Sequence, residues 1–154
     1  IAFESSDILS ITPKNEFRSR LYSIAKIDDT ILLSVKKHEF GLCSNFLNSL
    51  NKTDKIVANI QKNKEFHFPK KAKAVVLIAN GTGIAPFLGM INEKKSKTKV
   101  YLFWGGSTKK SLEIYQNYIN TSLENKRLDS FNAAFSQEQK EKIYVQDLLL
   151  NKSE

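Results

Sequence analysis

Gly81-Thr82-Gly83-Ile84-Ala85-Pro86 follows directly on the apolar run Val75-Val76-Leu77-Ile78-Ala79. Glycines at 81 and 83 let the backbone take positive φ and come close to a ligand. A helix opening near Ile84 would aim unpaired N–H groups and a positive dipole end at a phosphate. Pro86 suits the first turn of such a helix, where its missing N–H costs nothing. The pattern is G-x-G-x-x-P, not the dinucleotide fingerprint G-x-G-x-x-G. Trp104-Gly105-Gly106 closes the next strand where that fingerprint expects an acidic residue. The chemistry indicated is phosphate binding at a strand-to-helix turn. A purely structural turn is the competing reading, because paired glycines recur at such junctions.

Three further segments carry residue types suited to the same kind of ligand. In Arg20-Leu21-Tyr22-Ser23, the arginine can pair with a phosphate, the tyrosine can stack on a planar ring, and the serine can bond a ring nitrogen. Gly41-Leu42-Cys43-Ser44-Asn45 puts a glycine and small polar residues at a helix start, again a position favourable to phosphate. Ser136, Lys142 and Tyr144 follow a strand and are equipped to grip an exposed phosphate by hydroxyl and ammonium contacts. Each segment alone reads more readily as an ordinary half-exposed strand, a capped helix or the surface of a helix start.

The elements that must position these residues change character along the chain. The first part reads as β-structure: strands over Leu21–Lys26, Ile31–Lys36 and Lys55–Ile60, with Asp28-Asp29 as a turn. A short helix follows the Glu39–Asn45 loop, with Leu42, Phe46, Leu47 and Leu50 on one face. Phe66-His67-Phe68-Pro69 leads into a lysine cluster and marks a boundary, with domains expected over 1–70 and 71–154. The second part alternates strand and helix. Ala74–Ala79 is expected to be a parallel strand buried on both faces. Ile84, Phe87, Leu88 and Ile91 keep helical spacing. Val100–Trp104, a helix through Leu112, Tyr115, Ile119 and Leu123, a strand over Ser130–Phe135 and the start of a third helix over Val145–Leu150 complete the order. The pattern implies a parallel sheet with right-handed crossovers.

With 154 residues, 41% hydrophobic and 26% charged, the chain is expected to build a packed core. No apolar run approaches the ~20 residues of a membrane span. Ile1 to Ser10 lacks the pattern of a signal peptide. One cysteine permits no internal disulfide, which suits a reducing, cytoplasmic setting. Two histidines and that cysteine make no metal-ligand spacing, so no metal site is expected. The net charge of +8 sits largely in Lys70-Lys71-Ala72-Lys73, Lys94-Lys95-Ser96-Lys97 and Lys109-Lys110. A solvated lysine-rich face is one reading and a face for an anionic partner is the other. No aromatic-plus-basic motif supports nucleic-acid binding.

Taken together and in this order, the four segments resemble the ferredoxin–NADP reductase superfamily, most closely its diflavin branch of sulfite reductase flavoprotein subunits and NADPH–hemoprotein reductases. The resemblance runs from about Phe17 to Leu150 and implies α/β plus β architecture. An incomplete antiparallel FAD-binding barrel would be followed by a parallel-sheet NADP-binding domain. It implies that Arg20 binds an FAD phosphate, Tyr22 stacks on the isoalloxazine and Ser23 lies near flavin N5 as the catalytic contact. Gly41, Leu42, Cys43, Ser44 and Asn45 match the family's FAD pyrophosphate segment. Gly81, Thr82, Gly83 and Pro86 match the G-T-G-I-A-P-F turn that faces nicotinamide and pyrophosphate. Ser136, Gln137, Lys142 and Tyr144 match the segment that holds the 2′-phosphate. The implied activity is hydride transfer from NADPH to FAD, with electrons passing to a flavodoxin-like FMN module or another carrier.

Several positions depart from the family pattern. Gln137 stands where the 2′-phosphate arginine usually sits, so NADPH preference is expected to be relaxed. Gly106-Ser107 replaces a Cys-Arg pair, and Lys109 or Lys110 is the candidate for the missing positive charge. His38 is the nearest candidate for the adenine-stacking ring. The family's opening barrel strands and its closing Cys-Gly turn and terminal aromatic have no counterpart here. A fragment is therefore expected, one that holds FAD poorly by itself. A non-catalytic nucleotide-binding or interaction module remains the alternative, and the final electron acceptor stays open.

Overall fold

The computed structural model describes residues 2–14, 16–95 and 97–151. The domain limits expected at Ile1 and Glu154, and Ser96 of the second lysine cluster, lie outside these residues.

Antiparallel pairing dominates the first part. Strands β1 (Ile8–Ile11), β2 (Arg20–Ser23) and β5 (Ala58–Gln61) form one sheet in the order β2-β1-β5. Strands β3 (Ala25–Ile27) and β4 (Thr30–Leu32) form a separate hairpin. Asp28 makes its turn at φ 53°, a left-handed conformation that aspartate tolerates. The single strand expected over Leu21–Lys26 is thus divided at Ile24. Ile24 is fully buried, and its N–H and C=O bond Asp7 and Ser6, so the chain switches sheets there. β1 lies in a segment for which the sequence predicts no strand. It is the central strand, with Leu9 and Ile11 buried. The strand expected from Lys55 starts only at Ala58.

Helix α1 (Leu42–Ser49) precedes β5 and closes the small core of Leu9, Ile11, Ile24 and Cys43. The second part is a parallel sheet of β6 (Ala74–Asn80), β7 (Lys99–Gly106) and β8 (Ser130–Phe135), in that order. Helix α2 (Ala85–Glu93) connects β6 to β7, and α3 (Glu113–Glu124) connects β7 to β8. Helix α4 (Val145–Leu150) packs on the far ends of β7 and β8. The main core lies between this sheet and its helices, with Ile84, Ile91, Val100, Leu102, Trp104 and Ile119 fully buried. Burial on both faces was expected of Ala74–Ala79 and is found in β7 instead. β6 lies at the sheet edge, and Val76 and Ile78 are 54% and 48% exposed. Among the described residues, no helix is long and apolar enough to cross a membrane.

Residues 4–7 join the two parts. Asp7 is fully buried and accepts from the Lys62 ammonium at 2.8 Å, the Glu4 N–H at 2.9 Å and the Asn63 N–H at 3.1 Å. Burial alone would raise its pKa. The bonds from Lys62, Glu4 and Asn63 outweigh burial and hold it below the ordinary carboxylate value. A depressed carboxylate stabilises the fold above its unfolded pKa of about 3.9, and that contribution disappears as pH falls through the lower folded value. Asp7→Asn is therefore expected to cost about 3 kcal/mol at neutral pH. It should also flatten the acid limb of a pH–stability curve below pH ~4. Denaturant titrations from pH 2 to 7 check this, and an unaltered acid limb in the variant contradicts it.

Candidate functional site

At the carboxyl ends of the parallel strands, β6 empties into a single 3₁₀ turn over Gly81–Ile84, which runs directly into α2. Gly81 sits at φ +51°, in the left-handed region. Gly83 does not need positive φ, contrary to expectation, since Gly81 is the glycine that takes it. A Cβ added at either glycine would meet nothing within 4 Å, so the turn faces open space. Pro86 occupies the first turn of α2, as its chemistry predicts, and is buried.

The turn is held from below by Trp104. Its indole N–H donates to the Gly81 carbonyl at 2.9 Å, and its ring is fully buried against Tyr115 and Phe135, both edge-on. The same ring explains the glycine at 106. A Cβ there would lie 2.1 Å from the Trp104 ring, so neither cysteine nor alanine fits while Trp104 keeps its place.

A cleft of ≈ 1090 Å³ opens above this turn. One wall is the segment after β4, including Ser34, Lys36 and His38, and the other is the ends of the parallel strands. The Ser34 and Tyr115 hydroxyls bond across its floor. The cleft collects Gly81, Thr82, Ser136, Gln137 and Tyr144 from the residues singled out in the sequence, together with His38. Gly83, Pro86 and Lys142 lie outside its lining. Asn80, Thr108 and Ser111 also line the cleft without being candidates in the sequence, and Ser107, marked there only as a departure from the family pattern, lines it too. For Ser107, Thr108 and Ser111 a signal is present in the sequence: hydroxyl residues clustered directly after the Gly105-Gly106 strand end. Tyr144 stands just before α4, where its N–H donates to the Asp147 carboxylate at 2.7 Å.

The residues expected on the flavin side lie apart from this cleft. Alternation along β2 puts Arg20 and Tyr22 on one face and Leu21 and Ser23 on the other. Tyr22 packs on the core containing Cys43, which brings these two predicted residues together. Burial, and then the neighbouring Cys43 thiol, push the Tyr22 hydroxyl up to about 12. Arg20 and Ser23 are exposed. The Arg20 guanidinium donates to the Ser19 carbonyl at 3.2 Å. Gly41 caps α1 without a side chain, and a Cβ there would lie 2.3 Å from the Ser44 hydroxyl oxygen. The Ser44 hydroxyl donates to the Gly41 carbonyl at 3.0 Å and accepts from the His38 N–H at 3.2 Å. Ser44 thus shapes the loop, Cys43 is buried, and Leu42 is exposed at the helix start. The first-turn N–H groups of α1 have no intrahelical partners and face outward from that end.

The turn, the strand ends and the helices beyond them coincide with a recognised unit. Residues 77–154 match the family model described as the oxidoreductase NAD-binding domain. The chain belongs to the oxidoreductase NAD-binding domain family. The NAD-binding domain supplies the glycine turn and the strand-end wall of the cleft. Among relatives, the sulfite reductase [NADPH] flavoprotein alpha-component of Baumannia cicadellinicola subsp. Homalodisca coagulata is 34% identical over 150 residues, covering 86% of this chain and 25% of that protein. A nitric oxide synthase of Anopheles stephensi is 34% identical over 166 residues, covering 91% of this chain and 13% of that protein. The chain spans about a quarter of the length of the sulfite reductase relatives it matches.

Ferredoxin–NADP+ reductase from Plasmodium falciparum superposes with a TM-score of 0.76 at 21% identity, over 98% of this chain and 66% of that one. The same reductase solved with 2′P-AMP gives a TM-score of 0.73 at 21% identity, over 99% of this chain and 68% of that one. The fold is thus that of ferredoxin–NADP reductases, antiparallel sheets followed by a parallel sheet with helices.

Proposed function

We propose that this chain is the flavin- and dinucleotide-handling part of an NADPH-dependent flavoprotein reductase. The observation that carries the reading is the ≈ 1090 Å³ cleft at the carboxyl ends of β6–β8, with the open Gly81 turn at its base. Ligands of open parallel sheets bind outside the carboxyl ends of the strands, and a dinucleotide needs room of this order. Gly81, Thr82 and Gly83 form the surface for the nicotinamide and pyrophosphate, with Pro86 buried beneath them in the first turn of α2. Ser136, Gln137, Lys142 and Tyr144 serve the adenine-ribose end. On the flavin side, covering residues 1–70, Arg20 offers a phosphate contact, Tyr22 a ring face and Ser23 an exposed hydroxyl. Leu42, Cys43 and Ser44 offer backbone N–H groups at the start of α1, and Gly41 caps the helix with its own N–H bonded to the His38 carbonyl.

Bound FAD would supply the redox chemistry, accepting a hydride from nicotinamide C4 at its N5 and releasing electrons singly. The chain's contribution is to hold both rings in register and keep water from between them. A flavodoxin-like FMN module, or another redox protein with an acidic face, is the expected partner for a chain of net charge +8. The single, buried Cys43 suits a reducing cytoplasmic setting.

The reading is tested by adding FAD, removing excess by gel filtration, and recording the flavin spectrum before and after NADPH. Retained flavin that NADPH bleaches, coupled to ferricyanide reduction, is the expected result. A chain that binds NADP+ yet never retains or reduces flavin is instead a nucleotide-binding module, and the reductase reading then fails.

A further inference from the structure

The antiparallel and parallel parts meet at separated places. Away from the cleft, α2 packs on β3, and the Ser5 hydroxyl donates to the Glu93 carboxylate at the end of that helix. At the cleft the join is made by the residues at the end of β4 and just beyond it. Leu32 packs on the main core and Leu33 on the small core, so this stretch is wedged between the two. Ser34 comes next, and its hydroxyl bonds the Tyr115 hydroxyl in the first turn of α3. Tyr115 is 5% exposed, and a phenol buried to this degree requires a hydrogen-bond partner. Its ring lies edge-on to Trp104, with centroids 6.2 Å apart, and the Trp104 indole N–H holds the Gly81 carbonyl. A continuous run of contacts therefore leads from the wall bearing Ser34, Lys36 and His38 through Tyr115 and Trp104 to the glycine turn.

We infer that Tyr115 is a positioning residue for the cleft: its hydroxyl, bonded to Ser34, sets the separation between the antiparallel wall and the Gly81 turn. This rests on the reading of the cleft as a dinucleotide site. A ligand lying across the cleft touches both walls, and it binds best when they stand at the right separation before it arrives. The packing of α2 on β3 fixes the two parts at the end away from the turn, so a small rotation about that contact is largest at the cleft. The Ser34–Tyr115 bond opposes this rotation at the place where it matters to the ligand. Breaking the bond leaves a buried hydroxyl without a partner, which gives the closed arrangement a definite energetic advantage over a loosened one.

Calorimetric titration of the full chain with NADP+ tests the assignment. Tyr115→Phe keeps the ring and removes its hydroxyl, and Ser34→Ala removes the other partner. Each is expected to weaken NADP+ binding about three- to tenfold. The double variant is expected to bind no more weakly than either single one, because the same bond is lost in all three. Ser34→Thr keeps a hydroxyl and is expected to recover most of the affinity. Trp104 is the chain's one tryptophan, so an unshifted emission maximum in every variant is expected to show the edge-on packing intact. Additive losses overturn the inference, since each hydroxyl would then meet the ligand by itself. Unchanged affinity in both single variants overturns it, as does a threonine variant as weak as the alanine one. An emission maximum that shifts together with the affinity assigns the loss to a disturbed core and overturns it likewise. In all these outcomes the cleft reading stands. Failure of the unsubstituted chain to bind NADP+ overturns the cleft reading and this inference with it.

Discussion

Trp104→Ala is expected to lower the unfolding free energy by about 3–5 kcal/mol and to drop the melting temperature by about 10 °C. The indole is fully buried in the main core, edge-on to Tyr115 and Phe135. Its removal leaves a cavity that three parallel strands and α3 cannot close without repacking. The second consequence is local. Loss of the indole N–H frees the Gly81 carbonyl, and the glycine turn loses the bond that fixes it from below. Trp104→Phe separates the two effects. It retains most of the aromatic volume but cannot donate, so it is expected to keep the fold while costing about 1 kcal/mol. It should weaken NADP+ binding by more than that stability loss explains. Thermal unfolding by circular dichroism and dinucleotide titration are the two readouts. A Trp104→Ala protein of unchanged melting temperature, or a Trp104→Phe protein that binds NADP+ as tightly as the parent, contradicts the role given to the indole.

The same residue shows what the sequence could and could not disclose. The strand–turn–helix order was legible because apolar continuity in 75–79, paired glycines and Pro86 each constrain the backbone locally. The resulting element is found where those constraints put it. Trp104 read only as the absence of an acidic residue, because its bond to Gly81 connects positions far apart in sequence. The break at Ile24 was hidden for a similar reason. Leu21–Lys26 has unbroken strand propensity, and only pairing with β1 on one side and β4 on the other divides it. Exposure of Val76 and Ile78 reflects the place of β6 at the sheet edge, which composition does not encode. At the site, the glycine turn and Ser136-Gln137 could be anticipated from residue type. The opposite wall around Ser34 and Lys36 could not, since it comes from the antiparallel part and meets the turn only through tertiary packing.

That packing runs through Gly89, where helix propensity and steric fit make opposite predictions. Gly89 lies inside α2, where alanine is ordinarily the better helix former by about 1 kcal/mol. A Cβ at this position, however, would lie 2.3 Å from the Ser5 hydroxyl oxygen, 2.7 Å from the Ala25 Cβ and 2.8 Å from the Lys26 backbone nitrogen. The serine can rotate away, but β3 cannot yield without breaking its pairing with β4. Rotation of Ser5 also has a cost, because its hydroxyl donates to the Glu93 carboxylate at 2.6 Å and accepts from the Lys26 N–H at 3.0 Å. These bonds clamp the far end of the helix that begins at the glycine turn. Gly89→Ala is therefore expected to destabilise the protein by about 1–3 kcal/mol, against the sign of helix propensity. Because α2 is a short rigid rod, its displacement from β3 is transmitted to Gly81–Ile84, and dinucleotide affinity should fall with it. Adding Ser5→Ala should recover only a minor part of the loss, since the contacts with Ala25 and Lys26 persist. Denaturant unfolding of the single and double variants decides the matter. A Gly89→Ala protein at least as stable as its parent would show that α2 and β3 are not packed closely enough to set the position of the turn.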